Sequence, residues 1–381
     1  MGGTAAILTR WRRSPPNRWP AEGAKRIRGE VSRHIPTVDG LRAAAVMAVL
    51  LMHCAPAIFP GGFIGVDLFF VISGYVISLS LLKEHARRGA ISIAGFYRRR
   101  ALRILPPLLA VVAAVLLLGA LVGDAWSPTQ SRRDEWIEAL LALTSTMNWS
   151  RALRYGNPGF LGHLWSLSVE EQFYLVWPPL LLLLLRTGNR RLIAALLPAL
   201  ILLSFVWRTY LASVGAAPER MYLGLDTRAD SLMLGCLLAV AGTGSLPRRL
   251  LKCWIIPAAI LALLLLFASW DQPWLGWGGF TLLGILATWL VASAVEAGPT
   301  LRTALTLRPV QWIGLRSYSL YLWQVPVLGI VGLFGLPPPY AAAATFGSSL
   351  IVAALSYRLF EQTFGRRPRP GAPVHRAGEP A

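Results

Sequence analysis

Leu108-Leu-Ala-Val-Val-Ala-Ala-Val-Leu-Leu-Leu-Gly-Ala-Leu121 contains no ionisable group and no strong side-chain hydrogen bonder. With its flanks it makes an uncharged run from Ile104 to Gly123. At about 1.5 Å per helical residue, some twenty such residues span the roughly 30 Å hydrocarbon core of a bilayer. A surface this apolar cannot face water, and in lipid every backbone group must be satisfied within the segment, which demands a helix. Comparable runs lie at Leu180–Leu185 and Ile255–Ala268, and across all 381 residues 55% are hydrophobic and only 14% charged. These values belong to the membrane class.

Working outward from that segment, apolar runs of spanning length fall near 39–58, 63–82, 102–123, 164–185, 191–213, 229–243, 253–270, 274–295, 312–334 and 339–361. The expected fold is therefore all-α, a polytopic membrane protein of about ten transmembrane helices. Residues 1–34 read as a flexible basic tail, 35–361 as the membrane domain and 362–381 as a second disordered basic tail. If the N-terminus is cytoplasmic, 29 of the 37 basic residues fall in tails and loops on that side. The positive-inside rule then puts both termini in the cytoplasm and the chain in the cell (plasma or inner) membrane. The one long outer loop, about 124–163, carries a stretch from Trp136 to Met147 that reads as an amphipathic helix lying on the bilayer.

The formal net charge of +19 would suggest nucleic acid in a soluble protein. Here the basic residues alternate by loop, which is topological, and no nucleic-acid partner is expected. Cys54, Cys236 and Cys253 have no paired spacing and read as packing residues. With no HExxH or similar cluster, no metal is expected; the chain also lacks a G-x-S-x-G elbow, a P-loop and a G-x-G-x-x-G.

Ionisable groups within a span are costly enough to invite a functional reading. Arg42 and His53 lie eleven residues apart, which returns to within about 20° of one helix face and separates them by roughly 16 Å. Asp67, past the Pro60-Gly61-Gly62 turn, comes to a depth like that of His53, so a His–carboxylate pair is expected. Glu170 and Glu171 enter the membrane near the same level, and adjacent residues differ by about 100°, so at most one faces a given partner. Arg98, Arg99, Arg100 and Arg103 cluster where the 102–123 span begins. Such guanidiniums suit a polyphosphate ligand, or equally a topological anchor on anionic lipid.

Several strings carry a resemblance. Ile35-Pro-Thr-Val-Asp39-Gly40-Leu-Arg42 with His53, Gly61-Gly-Phe-Ile-Gly65-Val-Asp67-Leu-Phe-Phe-Val-Ile-Ser73-Gly74-Tyr75, Phe96-Tyr97-Arg98-Arg99-Arg100 and His163-Leu-Trp165-Ser-Leu-Ser168-Val-Glu170-Glu171-Gln172-Phe-Tyr174 resemble, in order, the motifs of the membrane-bound acyltransferase 3 family. Asp226-Thr-Arg228-Ala-Asp230-Ser231 and Ser317-Tyr318-Ser-Leu-Tyr321-Leu-Trp323-Gln324 resemble it more weakly, with Gln324 where the family commonly has His. The resemblance implies transfer of an acyl group, often acetyl, from cytoplasmic acyl-CoA to a hydroxyl on a carbohydrate or a secreted or natural-product acceptor. No cofactor is bound; acyl-CoA is the donor substrate, and the lipid bilayer and a glycan or small-molecule acceptor are the other partners. On this reading His53 is the general base, with Asp67, Glu170 or Glu171 orienting it. The CoA phosphates meet Arg98, Arg99, Arg100 and Arg103, with Arg42 farther along the route. Ser73, Tyr75, His163, Trp165, Ser168, Asp226, Arg228 and Gln324 are candidates for acceptor or oxyanion contacts. A covalent acyl-His53 intermediate stays open beside direct transfer. The rival reading from another class is a transporter or lipid-linked sugar flippase.

Overall fold

The computed structural model describes residues 35–126, 130–156 and 158–364; both tails read from the sequence lie outside them, apart from Gln362–Phe364, which is helical. Among the described residues the regular secondary structure is all helical, and each of the ten apolar runs contains a helix, 312–334 being divided between two. These are α1 (Pro36–Cys54), α2 (Ile64–Arg88), α3 (Ile93–Val122), then a short α4 (Arg132–Leu143), α5 (Trp165–Arg186), α6 (Arg190–Ser213), α7 (Leu225–Ala241), α8 (Ile255–Phe267), α9 (Phe280–Val295), α10 (Ser317–Gly332) and α11 (Pro338–Ser356). Six helical stretches are long and apolar enough to cross a membrane: α1, the Pro60–Arg88 stretch containing α2, α3, Leu192–Ser213, Leu275–Val295 and Pro338–Glu361. In α5 the polar run Glu170-Glu171-Gln172 dilutes the apolar face, and α8 is apolar but short.

Local chemistry sets several boundaries. Pro36 stands in the first turn of α1, where its missing N–H costs nothing. Gly89 closes α2 at φ +70°, a left-handed conformation that glycine adopts without strain. Ser92 caps α3 by accepting from Gly95 N, so α3 starts nine residues before the expected span and carries the arginine run inside a helix. Ser131 and Asp134 form a reciprocal capping box on α4. The expected 312–334 span is broken at Arg316, between a short helix Arg308–Leu315 and α10. There the Arg316 guanidinium lies 4.3 Å from the Trp312 ring and 4.7 Å from that of Tyr357.

At the centre, α2 packs against α1, α7 and α9, and α7 packs in turn on α6. The α2–α7 contact is close because two glycines oppose each other's backbones: a Cβ on Gly74 would strike Leu232 O, and one on Gly235 would strike Val71 O. Small residues at such crossings let backbones approach where lipid gives no hydrophobic drive to association. The outer surface is apolar instead, with Leu202, Leu203 and Val206 on α6 and Ile255, Leu263 and Phe267 on α8 exposed. α4 is inverted for a water-soluble protein: it exposes Trp136, Ile137, Leu140 and Leu143 and buries Glu135 and Glu138. That polarity suits an apolar face against lipid.

Candidate active site

Two polar cavities open into the bundle. The first, about 80 Å³, is lined by Arg42, Ser73, Arg100, Arg103, Ser166, Glu170, Tyr174, Ser317, Tyr318 and Tyr321, among others. The second, about 320 Å³, is lined by His53, Arg151, His163, Trp165, Glu219, Tyr222, Trp270 and Tyr321 with apolar neighbours. Tyr321 of α10 belongs to both walls. Its hydroxyl donates to His163 O at 2.5 Å, so Ser166 Oγ donates to it at 2.6 Å. This hydroxyl pair forms the partition where the cavities meet.

In the first cavity the helical spacing of α3 sorts the arginines. Arg100 and Arg103, three residues apart, face the cavity, and Arg100 lies 4.7 Å from the Tyr174 ring. Arg99 turns to Glu84 at 3.3 Å and Arg98 points to the exterior, so half of the expected arginine cluster does not face the site. Arg42 Nε donates to Ser317 Oγ at 3.1 Å. Of the two adjacent glutamates, Glu170 faces the cavity, accepting from Ser73 Oγ (2.9 Å) and Tyr174 OH (3.0 Å). Glu171, about 100° around α5, does not line it. The π-helical turn Tyr357–Glu361 carries Glu361 to Ser319 Oγ at 2.6 Å, close to these arginines; sequence reading missed it.

In the second cavity His53 bonds through Nδ1 to Val49 O at 2.9 Å. A carbonyl only accepts, so Nδ1 carries the proton and Nε2 presents its lone pair. The expected His53–Asp67 pair does not form. Asp67 instead takes Arg228 Nη2 at 2.6 Å and Ser231 Oγ at 3.3 Å, with both members of the ion pair fully buried. Nor does a glutamate orient His53, because Glu170 lies in the other cavity.

Arg228 is therefore buried against Asp67 and lines neither cavity. Its guanidinium lies 3.9 Å from the Phe280 ring, and beside it Arg208 pairs with buried Asp230 at 2.9 Å. Asp226 is held by Arg220 and Trp207, outside both cavities. Tyr75 packs in the core. Ser168 bonds back to Leu164 O, and Gln324, fully buried, donates to Tyr321 O at 3.4 Å; neither lines a cavity. His163 and Trp165 do line the second cavity. So does Trp270, at the end of the apolar run 253–270; it stacks on Tyr222 at 5.6 Å. Arg151 and Glu219, also on that wall, carried no sequence signal. No group of three or more His, Cys, Asp or Glu side chains suited to a metal occurs among the described residues.

A helical membrane bundle with two cavities that share Tyr321 as a wall residue is thus the class to which the chain belongs. The family is more particular. Residues 35–358 match the model of the acyltransferase domain, so the chain is a member of that acyltransferase family. It is similar to the peptidoglycan O-acetyltransferase OatA of Listeria monocytogenes, 33% identical over 349 residues, covering 86% of this chain and 55% of that protein. The O-acetyltransferase OatA of Staphylococcus aureus is likewise 33% identical, over 86% of this chain and 57% of its own length. The chain thus spans little more than half the length of these relatives. No solved structure matches it.

Proposed function

We propose that the chain is a membrane O-acyltransferase that moves an acyl group, acetyl in the first instance, from cytoplasmic acyl-CoA to a hydroxyl of a glycan. Ten spans with both termini cytoplasmic complete this reading. The observation that carries it is the meeting of an arginine-lined cavity and a histidine-lined cavity across the Tyr321–Ser166 hydroxyl pair. With α1 running outward, Arg42 lies near the cytoplasmic end and His53 near the outer end, and the 124–163 loop contributes Arg151, Gly159 and Gly162 to the His53 side. Relatives named for O-acetylation, one of them for peptidoglycan, support a glycan acceptor.

On this reading the CoA phosphates bind Arg100 and Arg103, whose planar forks match phosphate oxygens. The narrow first cavity takes the pantetheine arm and brings the thioester to the partition. His53 Nε2 removes the proton of the acceptor hydroxyl as that oxygen attacks the thioester carbonyl carbon. The Ser166 hydroxyl, which lines the first cavity, turns its proton from Tyr321 to the oxyanion. Collapse breaks the C–S bond, and the CoA thiolate recovers the proton from the imidazolium.

The test is incubation of the purified protein, reconstituted in nanodiscs, with radiolabelled acetyl-CoA and oligosaccharide acceptors. The expected product is a labelled ester removed by mild base, formed 10²- to 10⁴-fold more slowly by His53→Ala, about the contribution of a general base. A flippase or transporter yields no labelled ester, and that outcome overturns the proposal.

A further inference from the structure

Three arginines lie on or beside residues that line the His53 cavity, and two of them are neutralised. Arg154 pairs with Glu219 at 2.6 Å and Arg220 with Asp226 at 2.5 Å. Arg151, which lines the cavity itself, donates through Nη1 to Gly162 O at 2.8 Å. Among the described residues it has no carboxylate within ion-pair distance. Glu219, the cavity's own carboxylate, is already taken by Arg154. The cavity therefore holds a half-buried guanidinium with no carboxylate in contact, Glu138 and Glu219 acting on it only from farther off.

An aromatic wall stands in the same cavity. Trp165 and Tyr222 have ring centroids 4.6 Å apart, and Tyr222 stacks on Trp270. Aromatic faces of this kind receive the C–H face of a sugar ring, while the remaining donors of the Arg151 fork suit a two-oxygen anion. At about 320 Å³ the cavity is at the small end of ligand sites, roughly 300–1,000 Å³, and fits one sugar unit.

We infer that the acceptor is an anionic sugar, whose carboxylate or phosphate is held by Arg151 while its ring lies against Trp165, Tyr222 and Trp270. This rests on the reading of the His53 cavity as the acceptor site. Arg151 is then a specificity residue: it binds a group remote from the reacting hydroxyl, and His53 does the chemistry.

Equilibrium dialysis of the full chain in nanodiscs, with no acyl donor, tests it on radiolabelled methyl β-glucuronide, a methyl β-glucoside phosphate and neutral methyl β-glucoside. The expected result is roughly 10- to 100-fold tighter binding of one anionic sugar over the neutral one, the scale of a charge-assisted hydrogen-bonded contact. Which anion gains identifies carboxylate or phosphate. Arg151→Gln should erase that preference while leaving neutral-sugar binding within twofold, and Arg151→Lys, which keeps charge but not the fork, should fall between. Equal binding of all three sugars by the unaltered protein overturns the inference. So does an equal loss for all three in Arg151→Gln, which would mark a structural or oxyanion role. The binding readout is independent of turnover. A lasting anion preference without ester formation would sink the acyl-transfer reading alone, and ester formation without the preference would sink only this inference.

Discussion

Asp67→Asn should be among the most damaging single changes in the chain, although Asp67 lies in neither cavity. Its carboxylate and the Arg228 guanidinium are both fully buried at 2.6 Å, next to the equally buried Arg208–Asp230 pair. Replacing the carboxylate by an amide leaves Arg228 with a neutral acceptor at best, beside the rings of Phe280, Tyr222 and Phe70. Its Nε and Nη1 already lack hydrogen-bond partners. Ring contacts with a desolvated cation give about 2 kcal/mol, less than the several kcal/mol lost with its hydration. Breaking one such pair costs about 3–5 kcal/mol, or roughly a hundred- to several-thousandfold in the folding equilibrium. The double variant Asp67→Leu/Arg228→Met removes both charges and should lie close to the unaltered protein, because an apolar pair of similar volume carries no desolvation cost. Reversible unfolding in mixed detergent micelles measures all three. If Asp67→Asn loses less than about 1 kcal/mol, or the double variant is as unstable as the two single changes added together, the reasoning fails.

Further outcomes follow from the sorting of charges. Arg100→Gln and Arg103→Gln should each raise KM for acetyl-CoA about tenfold or more, since a charge-assisted phosphate contact is lost, whereas Arg98→Gln should stay within twofold. Initial rates at varied donor concentration read this, and equal effects at all three positions would refute the assignment of the first cavity. Burial pushes Glu138 up to about 6, against the hydrogen bonds from Gly159 N and its neighbours that favour the carboxylate. Its unfolded value lies lower, near 4.5. The folded state therefore binds the proton more tightly, and stability should fall by about 2 kcal/mol as pH rises from about 4.5 through 6. Melting curves across that range should show the loss in the unaltered protein and not in Glu138→Gln; a matching slope in both would discount the buried carboxyl.

What could be read from the sequence was local. The ten apolar runs became helices because hydropathy and helix length act within one segment, and the positions of Arg42 and His53 on a single face follow from 3.6 residues per turn. The family strings located the site's helices, and both Trp165 and His163 reached a cavity wall. Periodicity also limited the adjacent glutamates to one functional direction, without saying which.

Tertiary packing decided the rest, because the rotation of a helix about its axis and its neighbours are set by contacts distant in sequence. Asp67 finds Arg228, 161 residues away, rather than His53, since the Gly74–Gly235 contact draws α2 against α7. Glu170 faces the arginine cavity and Glu171 does not, and Arg98 and Arg99 turn away while Arg100 and Arg103 turn in. Arg151 and Trp270 carry no motif and reach the second cavity only through the 124–163 segment and the α8–α9 turn. The chain's own pattern determined which segments leave water. Which charge meets which, and therefore where the cavities lie, depended on helix–helix packing.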